Sequence, residues 1–403
     1  MQCDEIHVEE PAFDALLRTL LEDGFPAVTT EDARRRGSVA THVFAVLTRD
    51  GTDEGALAPF FLLQDGAYEA LVSYVYVEDC IPYASEPRLL RFAATPSLET
   101  FVSRCMVANA PAVFPADLSE PLFAAASCWV TADGLPDVDK LAAFFPDNTR
   151  VTVADCSEPD QPRRSMCLRT FAANYSQESL LYLRDLHLVA ASRSDFTYVA
   201  PKLFAMDWQS WCYDYGLDAS DLRFIYCGPG GTRTPTHCDV NNTYSWSVSL
   251  CGVKQWQMWP PQDTHMLYDI FGRKLAPWPR DPNTAPLMWP LACKAVCIEF
   301  MQQPGEAVFV PSGWHHNVVN ASKGVLSLNA NWFNAFNLHW VCHHVMLDEC
   351  SEARNHLVSM LHCVIEQTRA GIRNDGALLE AFTIARCKQA LALLQTNRHD
   401  AMC

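Results

Sequence analysis

The sequence predicts a mainly β core with helical flanks, an α+β chain whose closely spaced antiparallel strands close into a sandwich or jelly roll. Three observations carry this. Between Leu222 and Trp332 the apolar residues alternate with period two, in RFIYCG, YSWSVSL, KQWQMW, EAVFVP and GVLSLNANW, the repeat of a strand with one buried face. Gly and Pro turns bound these runs. On either side the period lengthens to that of helices, in SLETFVSRCMV and FAMDWQSWCYDYG before the strands and in LHWVCHHVMLDECSEARNHLVSMLHCVIEQ and LLEAFTIARCKQALALL after them.

In chain order, residues 1–93 read as a small N-terminal α+β region of open role. A helix-like start, PAFDALLRTLLEDG, is followed by strand-like runs THVFAVLTR, PFFLLQ and ALVSYVYVED, and the Pro-containing segment IPYASEPRLLRFAATP marks the boundary. Residues 94–336 form the main domain, with a mainly helical lead-in over 94–220 and the β core over 221–336. Residues 337–403 are a C-terminal helical region.

Composition narrows the function classes. At 403 residues, 49% hydrophobic and 19% charged, the chain buries a large core without help from metal or disulfides. No stretch approaches the ~18 uninterrupted apolar residues of a membrane span. The first residues, MQCDEIHVEEPAFD, carry acidic charge where a signal peptide carries basic charge. The 17 cysteines are scattered singly with no CxxC, the pattern of reduced thiols. The expected setting is therefore the cytoplasm, extending to the nucleus. A formal charge of −17 argues against nucleic-acid binding and for a basic protein partner.

The chemistry begins at His237-Cys238-Asp239. Side chains at i and i+2 of a strand share a face, so an imidazole and a carboxylate can reach one ion. They supply two-thirds of the facial triad that suits Fe(II), which leaves positions open for a chelating cosubstrate and O2. Alone the motif is weak. With 13 His and 47 acidic residues, roughly 1.5 His-x-Asp/Glu triplets arise by chance, and two occur, the other being His7-Val8-Glu9. Context adds weight. Downstream, PGEAVFVPSGWHHNVVN offers a strand, a tight turn and a third ligand, either His316 or His315.

Lys254 shares strand parity with Trp256 and Met258, the apolar face of KQWQMW, and a lysine pointing inward needs an anion. The distal carboxylate of 2-oxoglutarate fits that need; a lysine snorkelling from the strand start does not require it. Ser327, Asn329 and Asn331 likewise fall on one face of the last strand, and Ser245, Ser247 and Ser249 on one face of another. Parity alone leaves open whether those polar faces look into the barrel or into water.

The segments TPTHCDVNNTYSWSVSLCGVKQWQMWPP, PGEAVFVPSGWHHNVVN, LYLRDLHL, DLRFIYCGPGG and LNANWFNAFNL together resemble the JmjC family of cupin-fold oxygenases, over about Pro96 to Leu394. The resemblance implies a double-stranded β-helix core, iron ligands His237, Asp239 and His316, and 2-oxoglutarate contacts from Thr234, Lys254 and Asn329. It implies Fe(II), 2-oxoglutarate and O2 as cofactor, cosubstrate and oxidant. His315 stands where many relatives carry a second Trp, Ser247 where some carry Asn, and Ala330 where a polar residue is expected. The nearest branch implies hydroxylation of a lysine in the translation termination factor or a similar basic protein. The alternatives are a JmjC lysine demethylase and a non-catalytic cupin binding protein. The late residues His339, Cys342, His343, His344, Cys350, His362 and Cys363 fit no zinc-finger spacing and read as packing, or as a helix interface that in related hydroxylases forms a homodimer.

Overall fold

A computed structural model describes residues 10–22, 87–118, 127–176, 178–192, 199–218, 220–269, 273–285, 288–347, 351–371 and 377–395. The strand-like runs expected at THVFAVLTR, PFFLLQ and ALVSYVYVED lie outside them. The helix expected at the start is present as Glu10–Glu22.

Thirteen strands are described: β1 (Leu90–Arg91), β2 (Ala112–Phe114), β3 (Arg150–Asp155), β4 (Arg163–Cys167), β5 (Leu181–His187), β6 (Arg223–Pro229), β7 (Arg233–His237), β8 (Tyr244–Cys251), β9 (Lys254–Trp259), β10 (Ile298–Gln302), β11 (Ala307–Val310), β12 (His315–Asn320) and β13 (Gly324–Trp332). They form a nine-stranded sheet in the order β1-β2-β11-β8-β13-β6-β5-β3-β4 and a four-stranded sheet in the order β10-β9-β12-β7. All the pairings are antiparallel except β1 with β2. This is a mainly β fold with helical flanks, as the period-two pattern predicts.

The lead-in 94–220 departs from its mainly helical expectation. It contributes β2 to β5, which extend the large sheet on both sides. Their pattern is weak for a physical reason: β4, RRSMC, is an edge strand with three exposed residues and no apolar alternation. The helices here are short; Trp208–Asp214 is capped by Asp207, whose side chain accepts from the Ser210 amide at 2.9 Å.

Two apolar layers follow from strand parity. The outer face of the large sheet buries Trp246, Val248, Leu250, Phe309 and Trp332 against the helices in one continuous core. Phe204 stacks on Trp246 at 5.6 Å, and Phe101 meets Phe309 edge-on at 5.1 Å. A smaller core of Val113, Trp256, Met258, Val308, Val310, Trp314 and Val318 lies between the two sheets. The β8–β9 turn depends on Gly252, whose φ is +79° and whose added Cβ would lie 2.1 Å from the Gly324 carbonyl oxygen.

The long C-terminal segment divides into helices Leu338–Leu347 and Ser351–Arg369, followed by Ala377–Gln395. They join the outer core through Leu338, Cys342, Leu361, Phe382 and Cys387, as does Leu17 of the first helix. Among the described residues no metal cluster forms there, and no helix is long and apolar enough to cross a membrane. Cys105, Cys156, Cys227, Cys251 and Cys342 are buried free thiols.

Candidate metal centre

Among the described residues one group of His, Cys, Asp or Glu side chains converges as a metal site requires. The ligand atoms of His237, Asp239 and His316 all lie within 4.8 Å of one another. The register explains two of them: β12 pairs with β7 so that His316 stands opposite His237, and their rings lie 4.2 Å apart between centroids. Asp239 is not on the strand, contrary to the i, i+2 expectation. β7 ends at His237, and Asp239 caps the following turn with φ −61° and ψ 149°. That backbone is still extended, so its carboxylate reaches the same point.

The surroundings fix the chemistry of each ligand. His237 Nδ1 lies 2.9 Å from the Pro235 carbonyl and His316 Nδ1 lies 3.3 Å from the Trp314 carbonyl. Each ring can donate there and keep the Nε2 lone pair for a metal. Burial, helped by the neighbouring His316, lowers His237 to about 4 against the opposing pull of Asp239, so its imidazole is neutral at pH 7. Asp239 accepts from Ser245 Oγ at 2.7 Å and from Asn331 Nδ2 at 2.8 Å, which orient the carboxylate. Trp256 stacks on the His316 ring at 5.7 Å. His315 is turned away, with Nδ1 3.2 Å from Thr264 Oγ1, so the structure selects His316 over His315.

Lys254 points into the same space. It is 2% exposed, and its Nζ donates to Ser327 Oγ at 2.6 Å and Ser247 Oγ at 3.2 Å. Among the described residues it forms no ion pair, and desolvation alone lowers it to about 7. The polar faces of β8 and β13 therefore look inward: Ser245 and Asn331 serve the metal ligand, Ser247 and Ser327 the lysine.

Simple alternation would put Thr234 on the opposite face from His237. It does not, because the β7–β12 pairing slips between His316 and Val318, and Thr234 stands opposite Val318. The extra residue of this bulge returns Thr234 to the inner face. Thr234 is buried and shares a hydrogen bond with the Tyr182 phenol. Asn329 is half-buried on the inner face of β13, opposite Ser247, and its enclosed Oδ1 has no hydrogen-bond partner. Two inner-face residues that sequence reasoning missed are Tyr182 and Arg184 of β5. Their signal was parity: in LYLRDLHL they alternate with Leu181 and Leu183.

The donor set fits Fe(II). Two imidazoles and one oriented carboxylate that converge on one point are the nitrogen and oxygen donors that metal selects. The buried amine of Lys254 fits a dicarboxylate in the same space.

Comparison with known proteins agrees. Residues 224–332 match the family model described as "JmjC domain, hydroxylase". The chain is 36% identical over 263 residues to "Arginine-specific demethylase JMJ20" of Arabidopsis thaliana, covering 60% of this chain and 56% of that protein. It is 34% identical over 278 residues to "2-oxoglutarate and iron-dependent oxygenase JMJD4" of Homo sapiens, covering 64% and 63%. The Danio rerio protein of that name is 33% identical over 284 residues, covering 65% and 61%. The chain thus spans about three-fifths of the length of these curated relatives.

Proposed function

Residues 224–332 being a JmjC domain, we propose that this chain is an Fe(II)- and 2-oxoglutarate-dependent oxygenase that hydroxylates a protein substrate. The observation that carries the proposal is Lys254: a buried amine with two hydroxyls and the Trp256 ring beside it and, among the described residues, no ion pair, facing the space onto which His237, Asp239 and His316 converge. A dianionic 2-oxo acid satisfies both ends at once.

His237, Asp239 and His316 would hold the metal. When bound, the iron with its 2-oxo acid supplies oxidising power that no side chain has. The chain's own part is positioning and exclusion. Lys254 holds the distal carboxylate, with Thr234 and Asn329 beside it. Ser245 and Asn331 keep Asp239 aimed at the metal. Trp256, Met258 and Val318 wall the cavity with apolar surface that keeps water from the reacting centre.

For the substrate, the reading is a lysine of a basic protein, with the translation termination factor first in line. The branch resemblance and the formal charge of −17 support it. A second reading, N-methyl demethylation, is supported by the Arabidopsis relative named as an arginine-specific demethylase. Peptide mass analysis after incubation with Fe(II), 2-oxoglutarate and O2 separates the two. The hydroxylase reading expects a gain of one oxygen on the substrate residue, lost with His316→Ala. Methyl loss with no oxygenated product would overturn it. Absence of O2-dependent succinate formation would leave only a binding protein.

A further inference from the structure

Arg184 is a second cation on the inner face with no countercharge. In the β5–β6 pairing Leu183 stands opposite Cys227, and both are fully buried in the outer core. The residues flanking Leu183, Tyr182 and Arg184, are therefore turned the other way, into the space between the sheets. Tyr226, the neighbour of Cys227, faces inward opposite Ser327, which bonds Lys254.

The edge strand β7 fixes how deep Arg184 sits. Cys156 Sγ bonds to the Arg233 carbonyl at 3.7 Å and the Tyr182 phenol shares a hydrogen bond with Thr234. Cys156 pairs with Leu180, two positions before Tyr182, so successive inner-face positions of β5 run along β7 from Arg233 toward His237, and Arg184 is the next of them after Tyr182.

Arg184 Nε is enclosed with no hydrogen-bond partner, and among the described residues its side chain forms no ion pair. The adjacent Asp185 is already engaged, accepting from the Tyr226 hydroxyl and lying 3.6 Å from Arg163. An enclosed Nε–H left this way costs free energy unless an acceptor arrives, and the planar fork of the half-buried guanidinium suits a carboxylate.

The proposed cosubstrate carries two carboxylates, and Lys254 accounts for the distal one. We infer that Arg184 binds the metal-side carboxylate of the 2-oxo acid, making the cavity a two-cation clamp with Lys254 at one end and Arg184 at the other. This rests on the function proposed above. It assigns Arg184 to cosubstrate and not to the polypeptide substrate.

The test measures binding to the full chain loaded with Mn(II), which holds the complex without turnover. Two probes are titrated: 2-oxoglutarate, and 2-oxopentanoate as its competitor, which keeps the 2-oxo acid head and lacks the distal carboxylate. Arg184→Met is expected to weaken both by about tenfold or more, the scale of one charge-assisted contact. Lys254→Met is expected to weaken 2-oxoglutarate alone. Arg184→Lys, which keeps the charge and guards against a folding defect, should restore part of the affinity for both, and each variant is accepted on a cooperative thermal melt no lower than that of the wild type. Arg184→Met weakening only 2-oxoglutarate would put Arg184 at the distal end, and no change in either probe would remove it from the cosubstrate; both overturn the inference. Wild-type protein that binds neither probe would overturn the oxygenase reading itself.

Discussion

Lys254→Met should make the ligand-free protein more stable while removing its response to cosubstrate. Burial lowers Lys254 from its ordinary 10.5 to about 7, and at about 1.4 kcal/mol per pH unit that drop corresponds to roughly 5 kcal/mol against the charged form. Methionine removes this penalty, keeps an unbranched chain of similar volume, and leaves the Ser247 and Ser327 hydroxyls without their donor, at about 1 kcal/mol each. The expected net gain is about 1 to 3 kcal/mol, a rise of a few degrees in Tm.

The pH dependence has a definite sign. Because the folded-state value lies below the unfolded one, the unfolded chain holds the extra proton between about 7 and 10.5, so wild-type stability rises with pH there. The advantage of Lys254→Met should be full below about pH 7, vanish near about pH 9, and become a deficit of roughly 2 kcal/mol by about pH 10.5, where only the lost hydroxyl contacts remain. Calorimetric melts at several pH values, with and without 2-oxoglutarate, check both halves. Wild type should gain about 2.7 kcal/mol at a hundredfold excess over Kd, and the variant almost nothing at that concentration. A variant that melts below wild type without ligand, or that keeps the ligand response, would refute the picture of a buried ammonium waiting for an anion.

Three further outcomes follow from other contacts. Ser245→Ala or Asn331→Ala leaves one oxygen of Asp239 without its donor and should lower metal affinity by about 10- to 100-fold while the fold stays intact, as read by metal titration and circular dichroism. His315→Ala should leave metal affinity within about twofold of wild type, because its ring is bonded to Thr264 outside the cavity; a loss comparable to that of His316→Ala would reverse the ligand choice. Gly252→Ala should destabilise by more than the ~1 kcal/mol of an ordinary turn glycine, since its methyl meets a backbone oxygen and the left-handed φ is strained as well. Urea unfolding measures it.

Strand periodicity made the β core legible because each core strand buries one face: YSWSVSL, KQWQMW and GVLSLNANW all appear where alternation puts them. It was silent for β4, an exposed edge whose residues answer to solvent, and so the lead-in looked more helical than it is. The site divides along the same line. Lys254 could be read from parity because its neighbours Trp256 and Met258 reveal which way it points. Asp239 lies past the strand end, where parity no longer applies. Arg184 sits in a run that reads as one more amphipathic strand, and only the absence of a partner in three dimensions singles it out.

The slip in the β7–β12 pairing bears on how a chain of this kind can lose its function unseen. Let a substitution at Pro235 or Thr236 allow β7 to pair without its bulge, and His237 and Asp239 still follow one another at the same interval, with His316 and Lys254 untouched. Every signature a pattern search scores would survive. The strand, however, would fall back into step with its partner, and Thr234 would swing from the cavity to the outer surface. A single substitution in a stretch that carries no ligand could therefore separate a chain with a whole pocket from one that only spells its motif.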